Sequence, residues 1–205
     1  MPGLRRRTLV PMTENPRRAL IVVDVQPTFC EGGELAVAGG NKVAADVAAY
    51  ARTHRSRYAL VVTTQDWHIE PGAHFSPTPD FVDSWPPHGI AGTPNAELHP
   101  ALADLSADVG VKKGQYAHGY SGFEGEDGAG RTLEQVLRDG GIEAVDVVGL
   151  VESHCVKRTA LDAVRLGFAT RVLSDLTIPV MPEQGEQARA ELAAAGVEQV
   201  ESTAP

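Results

Sequence analysis

Short apolar segments alternate with helical patterns along this chain, and that alternation constrains the fold more than any other feature. The run Ala19–Val25 is apolar at nearly every position and contains Asp24 close to its end. A strand with apolar side chains on both faces is typical of a parallel sheet that is covered on both sides. The candidate strands of this chain are Ala19–Val25, Tyr58–Thr64, Gly110–Lys113, Val145–Leu150, Thr170–Leu173 and Val197–Val200.

Helical patterns fill the intervals between these runs. Asn41 is predicted to cap a helix that runs to about Arg55. Thr132 and Gln135 have the spacing of a capping box at the start of a second helix, which Gly140 ends. Two further helices are predicted, from about Cys155 to Leu166 and from Glu183 to Ala195. The alternation predicts a three-layer α/β domain with a mostly parallel sheet, in which ligands bind beyond the carboxyl ends of the strands.

Bulk properties narrow the class of protein. With 205 residues and 42% hydrophobic content, the chain suits one domain, 18–205, after a flexible N-terminal tail, 1–17. A net charge of −9 argues against nucleic acid and anionic membranes as partners. The apolar run after the tail is too short for a signal peptide or a membrane span. Two cysteines are too few for a disulfide framework, so a cytoplasmic location is expected, and the choice between monomer and homo-oligomer stays open.

One aspartate and three histidines cluster between positions 66 and 88. Asp66 and His68 are two residues apart, so in an extended segment both side chains leave the same face. His74 and His88 lie in a stretch rich in Pro and Gly, from 71 to 100, whose length is typical of a functional loop. One oxygen and three nitrogens suit Zn²⁺, Fe²⁺ or Mn²⁺. The alternative is a chance grouping of loop histidines, and the clustering favours the metal.

Three other residues indicate thiol chemistry. Cys155 begins a predicted helix, whose free amides and dipole would lower the pKa of the thiol and hold a developing oxyanion. Asp24 ends the first strand as a candidate base, and Lys113 ends the third as a compensating charge. A buried structural cysteine and a structural Asp–Lys ion pair are the alternatives, and sequence spacing does not separate them. His154 is not expected to pair with its neighbour Cys155, because adjacent side chains diverge.

A series of motifs occurs in order between Arg18 and Val200. They are DVQPTF from Asp24, DWH from Asp66, HFS from His74, WPPH from Trp85, GT from Gly92, KG from Lys113, YSGF from Tyr120 and HCV from His154. The series resembles the bacterial nicotinamidases (pyrazinamidases), which belong to the isochorismatase-like cysteine hydrolases. The metal-ligand positions are the more specific part, because isochorismatase and N-carbamoyl-amidase relatives usually lack them.

The resemblance implies a three-layer α/β/α fold with a six-stranded parallel sheet. It implies hydrolysis of nicotinamide to nicotinate and ammonia, and of pyrazinamide to pyrazinoate, through a cysteine thioester in NAD salvage. It also implies one divalent metal ion (Zn, Fe or Mn) that orients the ring nitrogen, and a cis peptide at Val151. The matching positions are Asp24, Lys113 and Cys155 for catalysis, Asp66, His68, His74 and His88 for the metal, Phe29, Trp85 and Tyr120 for the ring pocket, and the amides of Val151 and Cys155 for the oxyanion hole.

Three positions depart from the usual residues of that family. Gly89 stands where many members have cysteine, and Glu152 and Ser153 stand where a Thr-Asp pair is expected. Glu152 either points inward and raises the pKa of the thiol or points to solvent. Two rival functions remain: a metal-free amidohydrolase of the same superfamily acting on a ureido or carbamoyl substrate, and a binding or regulatory module that has lost catalysis. The complete catalytic set argues against the second.

Overall fold

The computed structural model describes residues 16–203, which form a six-stranded sheet between two layers of helices. The strands are β1 Arg18–Val23, β2 Leu60–Asp66, β3 Val109–Lys113, β4 Ala144–Leu150, β5 Ala169–Ile178 and β6 Glu198–Val200. The helices are α1 Gly40–Thr53, α2 Leu133–Asp139, α3 Lys157–Arg165 and α4 Pro182–Ala194. All neighbouring strands are parallel, in the order β3-β2-β1-β4-β5-β6. The predicted α/β/α fold with six parallel strands is confirmed.

The central strand β1 contributes to the core on both sides of the sheet. Leu20 and Val22 pack in the layer that contains α1. Ala19, Ile21 and Val23 pack in the opposite layer, which contains α2, α3 and α4. All five side chains are fully buried. Successive strand residues point to opposite faces, so a strand covered on both faces must be apolar throughout, which explains the first run of the sequence.

One of the two predicted helix caps is wrong, and the other is confirmed. Asn41 does not cap α1; instead the carboxylate of Glu31 accepts hydrogen bonds from the backbone amides of Gly39 at 2.6 Å and Asn41 at 2.8 Å. A carboxylate from the preceding loop therefore satisfies the free amides at this helix end. The capping box at α2 is confirmed, because the Thr132 hydroxyl accepts from the Gln135 amide and the Gln135 side chain accepts from the Thr132 amide.

Two elements near the site differ from prediction. Strand β5 continues to Ile178 rather than ending at Leu173, because its pairing with β4 resumes after an irregularity. Residues Glu152–Val156 form a π-helical turn ahead of α3. Cys155 therefore lies inside this turn and not in the first turn of an α-helix.

The predicted tail covers residues 1–17, of which residues 1–15 lie outside the described part of the chain. Arg17 lies inside that part, and its Nε donates a hydrogen bond to the carbonyl oxygen of Gly140 at 2.7 Å. None of the helices between residues 16 and 203 has both the length and the apolar character needed to cross a membrane.

Candidate active site and metal centre

The carboxyl ends of four neighbouring strands bring together an amine, a thiol and two carboxylates. Asp24 follows β1, Asp66 ends β2, Lys113 ends β3 and Cys155 follows β4. The parallel register of β2 and β3 sets Asp66 beside Lys113. One ligand atom from each of Asp24, Asp66 and Cys155 lies within 4.8 Å of the others. The four side chains therefore lie at the edge of the sheet where parallel α/β folds bind ligands.

Lys113 lies at the centre of this group, with 1% of its surface exposed. Its Nζ lies 2.9 Å from Oδ2 of Asp24 and 3.6 Å from Sγ of Cys155. It also donates hydrogen bonds to Oδ1 of Asp66 and, at 2.9 Å, to the carbonyl oxygen of Gly119. Burial acts to lower the pKa of Lys113, but Asp24 and Asp66 outweigh it and raise the pKa well above its usual value. The side chain is therefore an ammonium ion.

The pKa values of Asp24 and Asp66 are shifted in opposite directions. Burial raises the pKa of Asp24, against the opposing effects of Lys113 and of a 2.6 Å hydrogen bond from the Thr64 hydroxyl. Burial also acts to raise the pKa of Asp66, but Lys113 and the nearby histidines hold that pKa well below its usual value. Asp24 is consequently the more basic carboxylate and the one suited to exchange a proton with the thiol, while Asp66 stays ionised.

The thiol of Cys155 is harder to ionise than the sequence predicts. Burial raises its pKa well above the usual value; the ammonium of Lys113 acts to lower it, and the negative charges of Asp24 and Asp66 act in the same direction as burial. The expected lowering at a helix start is wrong, because the residue is 5% exposed in a π-helical turn beside two carboxylates. Such a thiol needs a neighbouring base that accepts its proton as it attacks, and Asp24 lies within reach.

Gln26 holds the backbone of Asp66, and Thr64 holds the carboxylate of Asp24; sequence reasoning missed both. Nε2 of Gln26 donates to the carbonyl oxygens of Asp66 at 2.9 Å and Ala96 at 2.7 Å, and its Oε1 accepts from the Asp66 amide at 2.9 Å. Thr64 bonds to Asp24 as described above. Both side chains are fully buried. A polar side chain in or just after an apolar strand was the available signal, since buried polar groups need partners.

Three buried imidazoles converge beside Asp66. Nitrogens of His68, His74 and His88 lie within 4.8 Å of one another. In each ring Nδ1 is hydrogen-bonded to a backbone carbonyl oxygen, that of Gly114 at 2.6 Å, Asp83 at 3.1 Å and Pro86 at 2.7 Å, respectively. Oδ2 of Asp66 lies 3.6 Å from Nε2 of His68 and 3.7 Å from Nε2 of His88. Carbonyl bonds at Nδ1 fix the rings and leave Nε2 as the ligand atom, as in many metal sites.

The residues of this cluster fit a divalent cation. Nε2 of His68 is buried and has no hydrogen-bond partner among residues 16–203, which is costly unless a ligand occupies that position. Burial lowers the pKa of His74 to about 4, so this imidazole is neutral and able to bind a metal at neutral pH. The neighbouring acidic group around Asp24 and Cys155 differs, because the ammonium of Lys113 already supplies its positive charge.

A cavity of about 290 Å³ is lined by Cys155 and by two of the three clustered histidines, His74 and His88. Its lining includes the three aromatic residues predicted for a ring pocket: Phe29, Trp85 and Tyr120. Nε1 of Trp85 donates to the Tyr120 hydroxyl at 2.8 Å, and that hydroxyl donates to the carbonyl oxygen of Val82 at 2.7 Å. Val151 and Cys155 line the cavity as well, and the Leu150–Val151 peptide bond is cis. The cavity suits a small flat ring with the thiol on one side and the imidazoles on another.

The structure shows the surroundings of the three positions that depart from the residues usual in the nicotinamidases, which are Gly89, Glu152 and Ser153. Gly89 has a φ of +51°, and a Cβ at this position would lie 3.2 Å from Cβ of Asp66. The expectation that Glu152 points to solvent is wrong, because its carboxylate is buried and accepts two hydrogen bonds from Nη1 of Arg189, at 2.9 and 2.8 Å. The Ser153 hydroxyl lies 3.0 Å from Nδ1 of His154.

Comparison with known proteins agrees with this geometry. Residues 18–204 match the Isochorismatase domain family. The chain belongs to the isochorismatase family. This family member is 50% identical over 183 residues to the nicotinamidase/pyrazinamidase of Mycobacterium tuberculosis, with 89% of this chain and 98% of that protein covered.

Solved structures of relatives have the same fold. The pyrazinamidase of Pyrococcus horikoshii in complex with zinc is 35% identical, with 91% of this chain and 99% of that chain covered and a TM-score of 0.78. The PnC1 protein of L. infantum in complex with nicotinate is 31% identical, with 95% and 98% covered and a TM-score of 0.79. The first of these relatives binds zinc, and the second binds nicotinate.

Proposed function

We propose that this protein is a metal-dependent nicotinamidase, which hydrolyses nicotinamide to nicotinate and ammonia, and pyrazinamide to pyrazinoate, in NAD salvage. The observation that carries the proposal is one cavity lined by a thiol, within reach of Asp24 and Lys113, and by an Asp–His cluster that suits a divalent cation. The name and 50% identity of the M. tuberculosis relative support the substrate.

The first half-reaction forms a thioester. Asp24 takes the proton of Cys155 as Sγ attacks the carboxamide carbon, and the ammonium of Lys113 stabilises the negative charge of the pair. The backbone amides of Val151 and Cys155 hold the oxyanion of the tetrahedral intermediate. Asp24 then gives its proton to the leaving nitrogen, the C–N bond breaks, and ammonia departs.

The second half-reaction releases the acid. Asp24, again a carboxylate, takes a proton from water as the water oxygen attacks the thioester carbon. The C–S bond breaks, Cys155 recovers its proton from Asp24, and nicotinate leaves. The raised pKa of Asp24 supports this double role, because a more basic carboxylate is a better proton acceptor.

The ring of the substrate is bound by residues other than those that act on its carboxamide carbon. Phe29, Trp85 and Tyr120 enclose its faces and edges, which fixes the carboxamide relative to Sγ. A Zn²⁺, Fe²⁺ or Mn²⁺ ion on Asp66, His68, His74 and His88 would supply a Lewis acid that orients the ring nitrogen.

The test is ammonia release from nicotinamide by the purified protein, before and after chelation and after return of Zn²⁺, Mn²⁺ or Fe²⁺. We expect activity to fall on chelation and to recover with metal. Cys155→Ala should abolish turnover with metal content intact, whereas Cys30→Ala, at a buried thiol outside the cavity lining, should remain active. Residual activity in Cys155→Ala contradicts the nucleophile. Ammonia release from a ureido or carbamoyl compound by the metal-free protein, with none from nicotinamide, would establish the rival amidohydrolase instead.

We also propose a cytoplasmic location. Both cysteines are free and buried, which suits a reducing compartment. Fractionation of the producing cell, with the protein detected by antibody, tests it: recovery with membranes or in the medium would contradict it.

A further inference from the structure

A buried ion pair joins the turn that carries Cys155 to helix α4. Glu152 is the first residue of the π-helical turn, and its side chain is 4% exposed. Both of its carboxylate oxygens accept hydrogen bonds from Nη1 of Arg189, which projects from α4. A charge-assisted pair of this kind is stronger and more directional than a neutral hydrogen bond.

The next residue of the turn makes a second link to the same region. The hydroxyl of Ser153 accepts a hydrogen bond from the amide of Val180 at 3.3 Å, in the segment that leads into α4. Val180 itself lines the cavity above Cys155. Two adjacent side chains therefore connect the turn to a segment that also forms part of the cavity wall.

Gly185 gives Arg189 its route to the turn. It lies inside α4, where glycine is less favourable than alanine. A Cβ at this position would lie 3.0 Å from Nη1 of Arg189 and 2.7 Å from Cγ of Pro179. The missing side chain leaves room for the guanidinium to extend back along the helix and for the helix to approach Pro179. Glycine at position 185 therefore makes α4 slightly less stable but leaves the space that the Glu152–Arg189 ion pair needs.

Glu152 lies between the two amides that are proposed to hold the oxyanion, those of Val151 and Cys155. A carboxylate this buried is costly unless it stays paired, so a shift of the turn that separates it from Arg189 is disfavoured. The Arg189 side chain is 41% exposed, so it keeps part of its hydration, which reduces the cost of holding the pair.

We propose that Arg189, acting through Glu152, is a positioning residue for Cys155. The pair holds the π-helical turn against α4 and so fixes Sγ and the oxyanion amides relative to Asp24 and Lys113. This inference rests on the proposed function, because it treats Cys155 as the nucleophile. Neither side chain of the pair lines the cavity over Cys155.

The test uses Arg189→Met, which keeps the length of the side chain and removes its charge, and the double variant Glu152→Gln with Arg189→Met, which removes both charges of the pair. Arg189→Lys is the conservative variant. Arg138→Met is the matched control, because Arg138 also pairs with a glutamate, Glu134, and links α2 to the end of α3 through the carbonyl of Leu166.

Four quantities are measured for each variant: kcat and KM for nicotinamide, the melting temperature, and the rate of Cys155 alkylation by iodoacetamide at one fixed pH, with the site located by mass spectrometry. We expect kcat to fall about 10- to 100-fold in Arg189→Met, with KM changed less than about twofold, because sub-ångström positioning acts on the chemical step. Alkylation of Cys155 should slow in parallel. Arg189→Lys should recover part of both, and Arg138→Met should match the wild type.

The double variant separates positioning from charge balance and also covers an unstable Arg189→Met. Positioning predicts that its melting temperature returns towards that of the wild type while kcat and alkylation stay low. Wild-type kcat and alkylation in the double variant would overturn the proposal, as would an effect on KM alone. If the wild type fails to hydrolyse nicotinamide, the proposed function fails, and the alkylation rates still decide whether Arg189 positions the thiol.

Discussion

Replacement of Lys113 by methionine is the most informative single change to this site, because it removes a charge and little volume. The side chain is 1% exposed and lies between two buried carboxylates, those of Asp24 and Asp66. Its Nζ also satisfies the carbonyl oxygen of Gly119. Methionine leaves these oxygens without the ammonium, while the cavity gains almost no space.

The expected cost follows from these contacts. Loss of one partner of a buried ion pair costs about 3–5 kcal/mol, and the unpaired carbonyl adds roughly 1 kcal/mol. We therefore expect the free energy of unfolding of the metal-free protein to fall by about 4–6 kcal/mol. Domains are stable by about 5–15 kcal/mol, so the variant should fold but unfold at much lower urea concentration.

A bound metal should reduce this cost. With a divalent cation beside it, Asp66 keeps a positive neighbour when Lys113 is absent, whereas Asp24 does not. Because the steps of folding and metal binding form a closed cycle, a smaller cost in the metal-bound protein requires tighter metal binding by the folded variant. Lys113→Met should thus lose catalysis and gain metal affinity.

The assay is urea unfolding followed by circular dichroism, on chelated and on metal-loaded protein, with metal affinity measured by competition against a chromophoric chelator. Lys112→Met is the matched control, since this neighbouring ammonium lies 3.2 Å from the centre of the Trp67 ring and away from the carboxylates. It should cost about 0.5–1 kcal/mol in both forms. Equal costs for the two variants without metal, or an unchanged metal affinity in Lys113→Met, would refute the reasoning.

Other changes test the metal side of the site. His68→Ala should lower bound metal, measured by elemental analysis, whereas His99→Ala should not; full occupancy in His68→Ala removes that residue from the ligand set. Gly89→Ala forces a side chain into a backbone with positive φ beside Asp66, so we expect a loss of about 1–2 kcal/mol in urea unfolding and weaker metal binding; wild-type values would contradict this. The pKa of His74 is about 4 when folded and 6.5 ordinarily, so the unfolded chain alone gains a proton between these values. Stability of metal-free protein should be constant in this respect above pH 6.5 and fall by about 3 kcal/mol towards pH 4, with a flatter profile in His74→Asn; identical profiles would exclude His74 as the cause.

The sheet was predictable because its signals are local. A strand covered on both faces must be apolar along its length, and that rule alone located β1, β2 and β4 to within a few residues. The limits of α1 and β5 were less predictable, since they depend on a distant partner. Glu31 satisfies the start of α1 in place of Asn41, and β5 continues to Ile178 because β4 pairs with it again beyond an irregularity.

The candidate site residues were proposed from their positions at strand ends, but their electrostatics were not predictable in this way. The pKa of Cys155 depends on burial and on charges that Asp24, Asp66 and Lys113 bring from three other strand ends, and no local pattern encodes that sum. Likewise the partner of Glu152 lies 37 positions away on another helix. Sequence reasoning names groups that are able to react; the packing of the fold decides how readily each one does.

Asp66 connects the group formed by Asp24, Lys113 and Cys155 with the histidine cluster. Its Oδ1 accepts from Lys113, and its Oδ2 lies 3.6 and 3.7 Å from ring nitrogens of His68 and His88. Because Asp66 contacts both groups, a change of charge at Lys113 changes the free energy of cation binding among the histidines, and a bound cation changes the free energy of the charge at Lys113. Lys113 helps to keep Asp66 ionised, but its ammonium also competes with a divalent cation for that carboxylate, so its removal should tighten metal binding. The register of β2 and β3, which sets Asp66 beside Lys113, thereby couples the thiol chemistry to the cation site through the backbone of the sheet.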